Sequence, residues 1–128
     1  MSNFSIALAW RRATPDFDLK TFDRGHVWSL GGGQTVQGSS APDYSGDPHK
    51  GSPEEALLAA LSSCHMLTFL TVAALKKLVV ESYEDNPVAE LGKHDKGKLM
   101  VARLTLRPKV VFGGETKPDA EAVWALHR

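Results

Sequence analysis

The chain has 128 residues, which is enough for one domain with a hydrophobic core of its own. Hydrophobic residues make up 42% of it and charged residues 23%, values that exclude a disordered chain. Fifteen basic residues balance fifteen acidic ones with no basic run, which argues against a nucleic-acid partner.

Three strands are predicted in the first part of the chain. Residues 4–10 alternate loosely and predict the first strand, residues 22–30 predict the second, and residues 34–37 predict the third. Three glycines at 31–33 supply the positive φ that a hairpin turn needs, so they predict a hairpin between the second and third strands. Residues 39–51 contain two prolines and two glycines, and they predict an irregular connection.

Residues 52–78 predict a long helix. Ser52 suits the N-cap and Pro53 the first helical position, and Glu55 has the spacing of a capping box. From Leu57 to Leu75 almost every residue is apolar or small, so the helix has no polar face and needs cover on every side.

The middle of this helix holds polar residues: Ser62, Ser63, Cys64, His65 and Thr68. A membrane span tolerates such residues poorly, so we expect the central helix of a soluble protein and no membrane partner. One cysteine cannot form an intrachain disulfide, and the N-terminus has no signal-peptide pattern. We therefore expect a cytoplasmic protein.

Strands are again predicted after the helix. Residues 79–83 and 88–94 are strand-like, and a turn is predicted at 95–97. Residues 98–112 alternate best, but their apolar positions change parity near Ala102, which predicts a β-bulge there. Pro118 and the acidic residues after it predict a second helix.

Strands that follow one another without alternating helices predict an α+β fold with antiparallel sheets. One small sheet covers one side of the central helix. A second copy of the chain is the economical cover for the other sides, so we expect a homodimer.

Cys64 is the first candidate for chemistry. A lone cysteine on an apolar helix is most often a small core residue. A reactive thiolate needs a nearby cation or helix N-terminus, and Cys64 lies about three turns into its helix, so a cation from elsewhere would be required. The next residue, His65, points about 100° away and is better explained as a hydrogen-bonded core or interface histidine.

Glu54 and Glu55 have a structural explanation, because acidic side chains in the first turn of a helix interact favourably with its dipole. One of them could also have a functional role. Along one continuous helix Glu54 and Cys64 would be about 15 Å apart, so a link between them needs a long side chain or a partner's helix. The five histidines show no paired spacing, and the three glycines are not followed by a P-loop lysine. No metal site and no cofactor are expected.

At the level of whole motifs the chain resembles the OsmC/Ohr family of thiol-dependent hydroperoxide reductases, in its OsmC-like branch. The resemblance runs from about Ala9 to the end. It is carried by GDPHKGSPEEALLAALSSCHMLTFL, VVESYEDNPVAEL, KLMVARLTLRPKVVFGG and the upstream TFDRGHVWSLGGGQTVQGSSAPDYSGDP. It implies a single OsmC-like domain over residues 1–128, with antiparallel sheets wrapped around a long central helix in an intertwined homodimer.

The resemblance also implies site residues. The peroxidatic cysteine of the family falls on Cys64 and its helix-opening acid on Glu54. Its activating arginine falls on Arg24, with Arg11 and Arg12 on the preceding strand as alternatives. The substrate implied is an organic hydroperoxide, which is reduced to an alcohol, and the second partner is an external thiol reductant.

The family carries a second, resolving cysteine beyond the second helix, and this chain is expected to lack that segment. Three explanations for the missing segment remain open: a natural one-cysteine variant, a prematurely stopped gene and a shortened form. The implied function is an OsmC-like thiol peroxidase with impaired turnover. The alternatives are a non-catalytic dimeric binding or stress protein and an inactive remnant.

Overall fold

A computed structural model describes residues 2–93, 99–115 and 117–127 of the chain. They fall into two compact units, residues 1–56 and 57–128. His94 and the turn predicted at residues 95–97 lie outside the described residues.

A three-stranded antiparallel sheet forms the first unit, in the order β1 (Ala7–Ala9), β2 (His26–Ser29) and β3 (Thr35–Gly38). The predicted hairpin between β2 and β3 is confirmed. Its loop is closed by a hydrogen bond from the Leu30 amide to the Gln34 carbonyl at 2.8 Å. Gly33 has a φ of 95°, a conformation that glycine adopts without steric cost.

The first two strands are shorter than the predicted 4–10 and 22–30. The chain before β2 bonds to itself instead, because the Asp23 carboxylate accepts the Gly25 amide at 2.8 Å. Such local aspartate bonds compete with sheet pairing. The placement of the arginines on strands was therefore wrong, since Arg24 precedes β2 in this loop and Arg11 and Arg12 follow β1.

The connection from β3 contains a 3-10 turn at Pro42–Tyr44 and leads into helix α1 (Pro53–Leu75). The capping box is confirmed. The Ser52 amide donates to Glu55 Oε1 at 3.0 Å, and the Glu55 amide donates to Ser52 Oγ at 3.2 Å. These bonds satisfy two amides that a helix start leaves open, which is why the helix begins here.

Helix α1 ends without a glycine. Lys77 adopts the left-handed conformation with a φ of 59°. The amides of Leu78 and Lys77 then donate to the carbonyls of Ala73 at 2.9 Å and Ala74 at 3.0 Å. This is a Schellman ending, which satisfies two of the last open carbonyls of the helix.

Two antiparallel strand pairs and helix α2 (Ala120–Leu126) complete the second unit. Strand β4 (Val79–Glu84) pairs with β7 (Lys109–Gly113). Between them in the sequence, β5 (Val88–Lys93) pairs with β6 (Leu99–Thr105). Asp119 caps α2 by accepting the Ala122 amide at 2.8 Å, so the second predicted helix is confirmed.

The single strand predicted over residues 98–112 is two strands, because the chain bends at Leu106, Arg107 and Pro108. Proline has no amide to donate to a sheet, and the Arg107 amide donates to Asp85 instead, at 2.6 Å. The bulge is confirmed. Glu90 pairs with Arg103 and Leu91 with Val101, which leaves Ala102 without a partner across the strand pair.

The core of the second unit is small. Its fully buried hydrophobic residues are Phe69, Ala73 and Leu126. Most of α1 is exposed in the single chain, with Leu67 at 59% and Leu75 at 78% of full exposure. The predicted burial of the whole helix is therefore not met by one chain. By length and composition alone α1 could also cross a membrane, although core helices of soluble proteins share both features.

Candidate functional site

Cys64 lies in an open apolar cavity of about 460 Å³ in the second unit. Helix α1 and the end of β6 supply its walls: Leu61, Cys64, His65, Thr68, Leu104 and Leu106. The thiol is exposed. The chain therefore presents this sulfur at the surface of a cavity lined mainly by leucines and does not bury it as a core residue.

Helix and strand periodicity explain why these side chains meet. Residues 61, 64, 65 and 68 share one face of a helix, because they recur at three- and four-residue spacing. Leu104 and Leu106 are two residues apart, so they lie on one face of an extended chain. Leucines of the helix and of the strand segment thus line the same cavity as the thiol.

Asp85 holds the strand bend against this part of α1. Its carboxylate accepts a hydrogen bond from Ser62 Oγ at 2.5 Å and one from the Arg107 amide at 2.6 Å. Leu106, which lines the cavity, directly precedes Arg107. Asp85 therefore fixes the wall of the cavity relative to the helix.

His65 forms a pair with His127, which follows helix α2. The Nε2 atom of His65 lies 2.9 Å from Nδ1 of His127, and the two rings are nearly parallel, at 8°. The interpretation of His65 as a hydrogen-bonded histidine is consistent with this contact. Burial, and then the nearby charge of His65, lower the pKa of His127 below its ordinary value.

Glu54 lies in the first unit, in the first turn of α1. Its Oε2 atom is buried and has no hydrogen-bond partner among the residues that the structure describes. A buried carboxylate oxygen without a donor is costly, so this position favours the approach of a cationic group.

Arg24 lies in the same unit and is engaged locally. It donates to the carbonyls of Phe22 at 2.6 Å and Leu19 at 2.7 Å, and its guanidinium lies 3.5 Å from the centre of the Phe22 ring. Within residues 2–93, 99–115 and 117–127 no ion pair joins Arg24 to Glu54.

The alternative arginines occupy the loop after β1. Arg12 donates to the Pro15 carbonyl at 2.5 Å, and Arg11 is exposed. Nothing in these contacts favours either of them over Arg24 as the group that activates a thiol. In the described part of the chain, no three His, Cys, Asp or Glu residues cluster in a way that could hold a metal ion.

Sequence reasoning missed three features around Cys64. Leu104 and Leu106 line the cavity, Asp85 bonds to Ser62, and His127 contacts His65. All are remote from Cys64 in the sequence, and no spacing rule relates them to it. The sequence offered one signal for the His127 contact, namely His65 beside the cysteine, because a histidine packed in a protein needs a hydrogen-bond partner.

Comparison with known proteins gives a consistent result. Residues 46–127 match the family described as OsmC-like protein. No curated protein matches the sequence. A solved OsmC-like protein of unknown function from Vibrio cholerae O1 biovar eltor str. N16961 is 41% identical, with a TM-score of 0.94 over 99% of this chain and 86% of that one.

A second solved structure, an OsmC-like protein from Mycoplasma pneumoniae, is 11% identical. It superimposes with a TM-score of 0.72 over 98% of this chain and 77% of that one. At this identity the likeness concerns the fold alone.

Proposed function

Because the chain belongs to the OsmC-like protein family, we propose that it is a thiol peroxidase that reduces organic hydroperoxides to alcohols through Cys64. The observation that carries the proposal is the exposed Cys64 thiol in a leucine-lined cavity. Proteins of this family are generally soluble, and we place this one in the cytoplasm as a homodimer. Its other partner is an external thiol reductant.

The proposed reaction uses the thiolate as nucleophile. The sulfur attacks the terminal oxygen of the hydroperoxide, an S–O bond forms, and the O–O bond breaks. The products are a sulfenic acid on Cys64 and an alkoxide, which takes a proton to become an alcohol. Apolar walls favour substrates with an alkyl or lipid chain over hydrogen peroxide, since burial of hydrocarbon contributes to their binding.

Glu54 and Arg24 form the second part of the proposal. An arginine carries five N–H donors, and Arg24 uses two of its nitrogens on the Phe22 and Leu19 carbonyls. The buried oxygen of Glu54 is a suitable acceptor for a guanidinium, which would orient the arginine toward the thiolate. Arg24 would then favour the thiolate and stabilise the leaving alkoxide.

Stoichiometric thiol consumption tests this function. Cys64 is the one thiol of the 128-residue chain, so its sulfenic acid has no second intrachain thiol to condense with. With cumene hydroperoxide we expect about one rapid turnover per chain, further turnover only when a small thiol is added, and sulfinic acid in excess oxidant. Intact-mass spectrometry and free-thiol titration measure these outcomes.

The matched control is Cys64→Ser, which keeps the size of the side chain and should consume no hydroperoxide. Retention of the free thiol in the unmodified chain would instead favour a non-catalytic binding protein. Sustained turnover with a dithiol, through a Cys64–Cys64 bridge between two chains, would contradict the single-turnover expectation.

The same assay tests the arginine. Arg24→Ala should slow thiol consumption by roughly the 10²-fold or more that loss of one electrostatic stabiliser costs. Arg103→Ala is the control, because Arg103 is an exposed arginine of β6 that pairs with Glu90. Equal slowing by both variants, or by neither, would remove this role from Arg24.

A further inference from the structure

The histidine pair beside Cys64 has no part in the reaction proposed so far. We propose that His65 is the acid that protonates the leaving alkoxide, and that His127 is the positioning residue that holds His65 in the required tautomer. This inference rests on the proposed function, since it needs a hydroperoxide bound at Cys64. It adds a proton donor to the site.

The first support is the placement of His127. It follows the last turn of α2, where its amide donates to the Trp124 carbonyl at 3.1 Å. Its ring packs against Phe69, with the ring centres 4.5 Å apart. Phe69 is fully buried, so the His127 ring rests on the core of the second unit. His127 can therefore act as a rigid partner for His65.

The second support is the protonation of the pair. Two imidazoles joined by one hydrogen bond need one donor and one acceptor. Burial lowers the pKa of His127, which favours its neutral ring. In the tautomer of that ring that has its hydrogen on Nε2, the Nδ1 atom has a lone pair and accepts the Nε2 hydrogen of His65. This arrangement leaves Nδ1 of His65 for the proton that the proposed step transfers.

The third support is the position of His65 relative to the thiol. Consecutive residues on a helix point about 100° apart, so the ring does not compete with Cys64 for the same place. Both side chains nevertheless line the same cavity. A hydroperoxide that presents its terminal oxygen to the sulfur can thus present its inner oxygen to the imidazole.

The step balances without a further reactant. The thiolate, the hydroperoxide and the His65 imidazolium give the sulfenic acid, the alcohol and neutral His65. The electron pair of the O–O bond leaves with the inner oxygen, which takes the proton from Nδ1. His65 regains a proton from solvent through the open side of the cavity.

Leaving groups that differ in their need for a proton provide the test. Tert-butyl hydroperoxide releases a strongly basic alkoxide, whereas peracetic acid releases acetate, which is stable as an anion. His65→Gln places an amide near the position of Nε2 and keeps a hydrogen bond toward His127, but it has no proton to transfer. Single-turnover loss of the Cys64 thiol is followed with both oxidants.

We expect His65→Gln to slow the reaction with tert-butyl hydroperoxide by about 10² or more, the usual contribution of a general acid, and to leave the peracetic acid reaction unchanged. His127→Leu should give the same selective loss. His127→Asn should restore much of the rate, because its amide oxygen can accept the hydrogen of His65 Nε2.

Equal slowing with both oxidants would show an effect on the thiolate or on the fold, and it would overturn the inference. Unchanged rates with both oxidants would overturn it as well. Failure of the proposed function is distinguishable from failure of this inference. In that case the unsubstituted chain would keep its free thiol in tert-butyl hydroperoxide.

Discussion

His127 is a half-buried ring between Phe69 and His65, and both its burial and the charge of His65 disfavour its protonated form. A histidine with a lowered pKa in the folded chain binds fewer protons there than in the unfolded chain. Linkage then makes the free energy of unfolding depend on pH near the ordinary histidine value of 6.5.

We expect stability to fall as the pH drops below about 6.5, because the unfolded chain takes up the His127 proton first. The loss continues down to the lowered pKa of the folded chain and then stops. His127→Asn should reduce this dependence. Urea unfolding at about pH 7.5 and about pH 5, at one protein concentration, measures it.

The exposed His49 provides the control for this measurement. His49→Asn should leave the pH dependence of unfolding as it is in the unsubstituted chain. A His127→Asn chain with the full pH dependence would show that other groups cause it.

At the scale of the elements, one carboxylate joins helix α1 to the bend between β6 and β7. Asp85 accepts both the Ser62 hydroxyl and the Arg107 amide. Bonds to a charged acceptor contribute more than neutral ones, and removal of the acceptor leaves two donors without a partner. The bend, and the cavity wall beside it, therefore depend on a single side chain.

We expect Asp85→Ala to lower the free energy of unfolding by about 1.5–3 kcal/mol, the range for a bond to a charged group. Ser62→Ala should cost less, because it removes one donor and leaves Asp85 bonded to the Arg107 amide. Glu115→Ala, at an exposed acid, is the control and should change little. Urea unfolding measures all three, and an Asp85→Ala chain as stable as the control would contradict the role of Asp85.

At the scale of the whole molecule, a single chain leaves several apolar leucine side chains of α1 exposed to solvent. Four of them are at least 40% exposed: Leu57, Leu61, Leu67 and Leu75. Full burial of such a side chain contributes about 1.5–3 kcal/mol, so a surface that covers several of them would stabilise the helix strongly. Homodimerisation remains our proposal for that cover.

We expect a dimer by light scattering at micromolar concentration. Leu67→Glu should shift the equilibrium toward monomer, because it places a charge on the exposed apolar face of the helix. Lys76→Glu, at an exposed position just after the helix, is the control and should remain dimeric. A monodisperse monomer of the unsubstituted chain would contradict the proposal.

Local features of the sequence determined much of the fold. The capping box at Ser52, the hairpin at the glycines before Gln34, the bulge at Ala102 and the helix after Pro118 all follow from interactions between near neighbours. Their physical causes are the open amides of a helix start, the positive φ of glycine and the two-residue period of a strand. The family could likewise be identified from the motif around Cys64.

The tertiary structure alone decided which distant groups meet. His65 and His127 are 62 residues apart, and Ser62 and Asp85 are 23 apart. No periodicity links such positions, because their contact depends on how the strands and α2 pack on α1. The Arg24 loop is similar, since Arg24 bonds to the Phe22 and Leu19 carbonyls where the start of the second strand was predicted. Periodicity reports which face a residue occupies, and packing decides what that face meets.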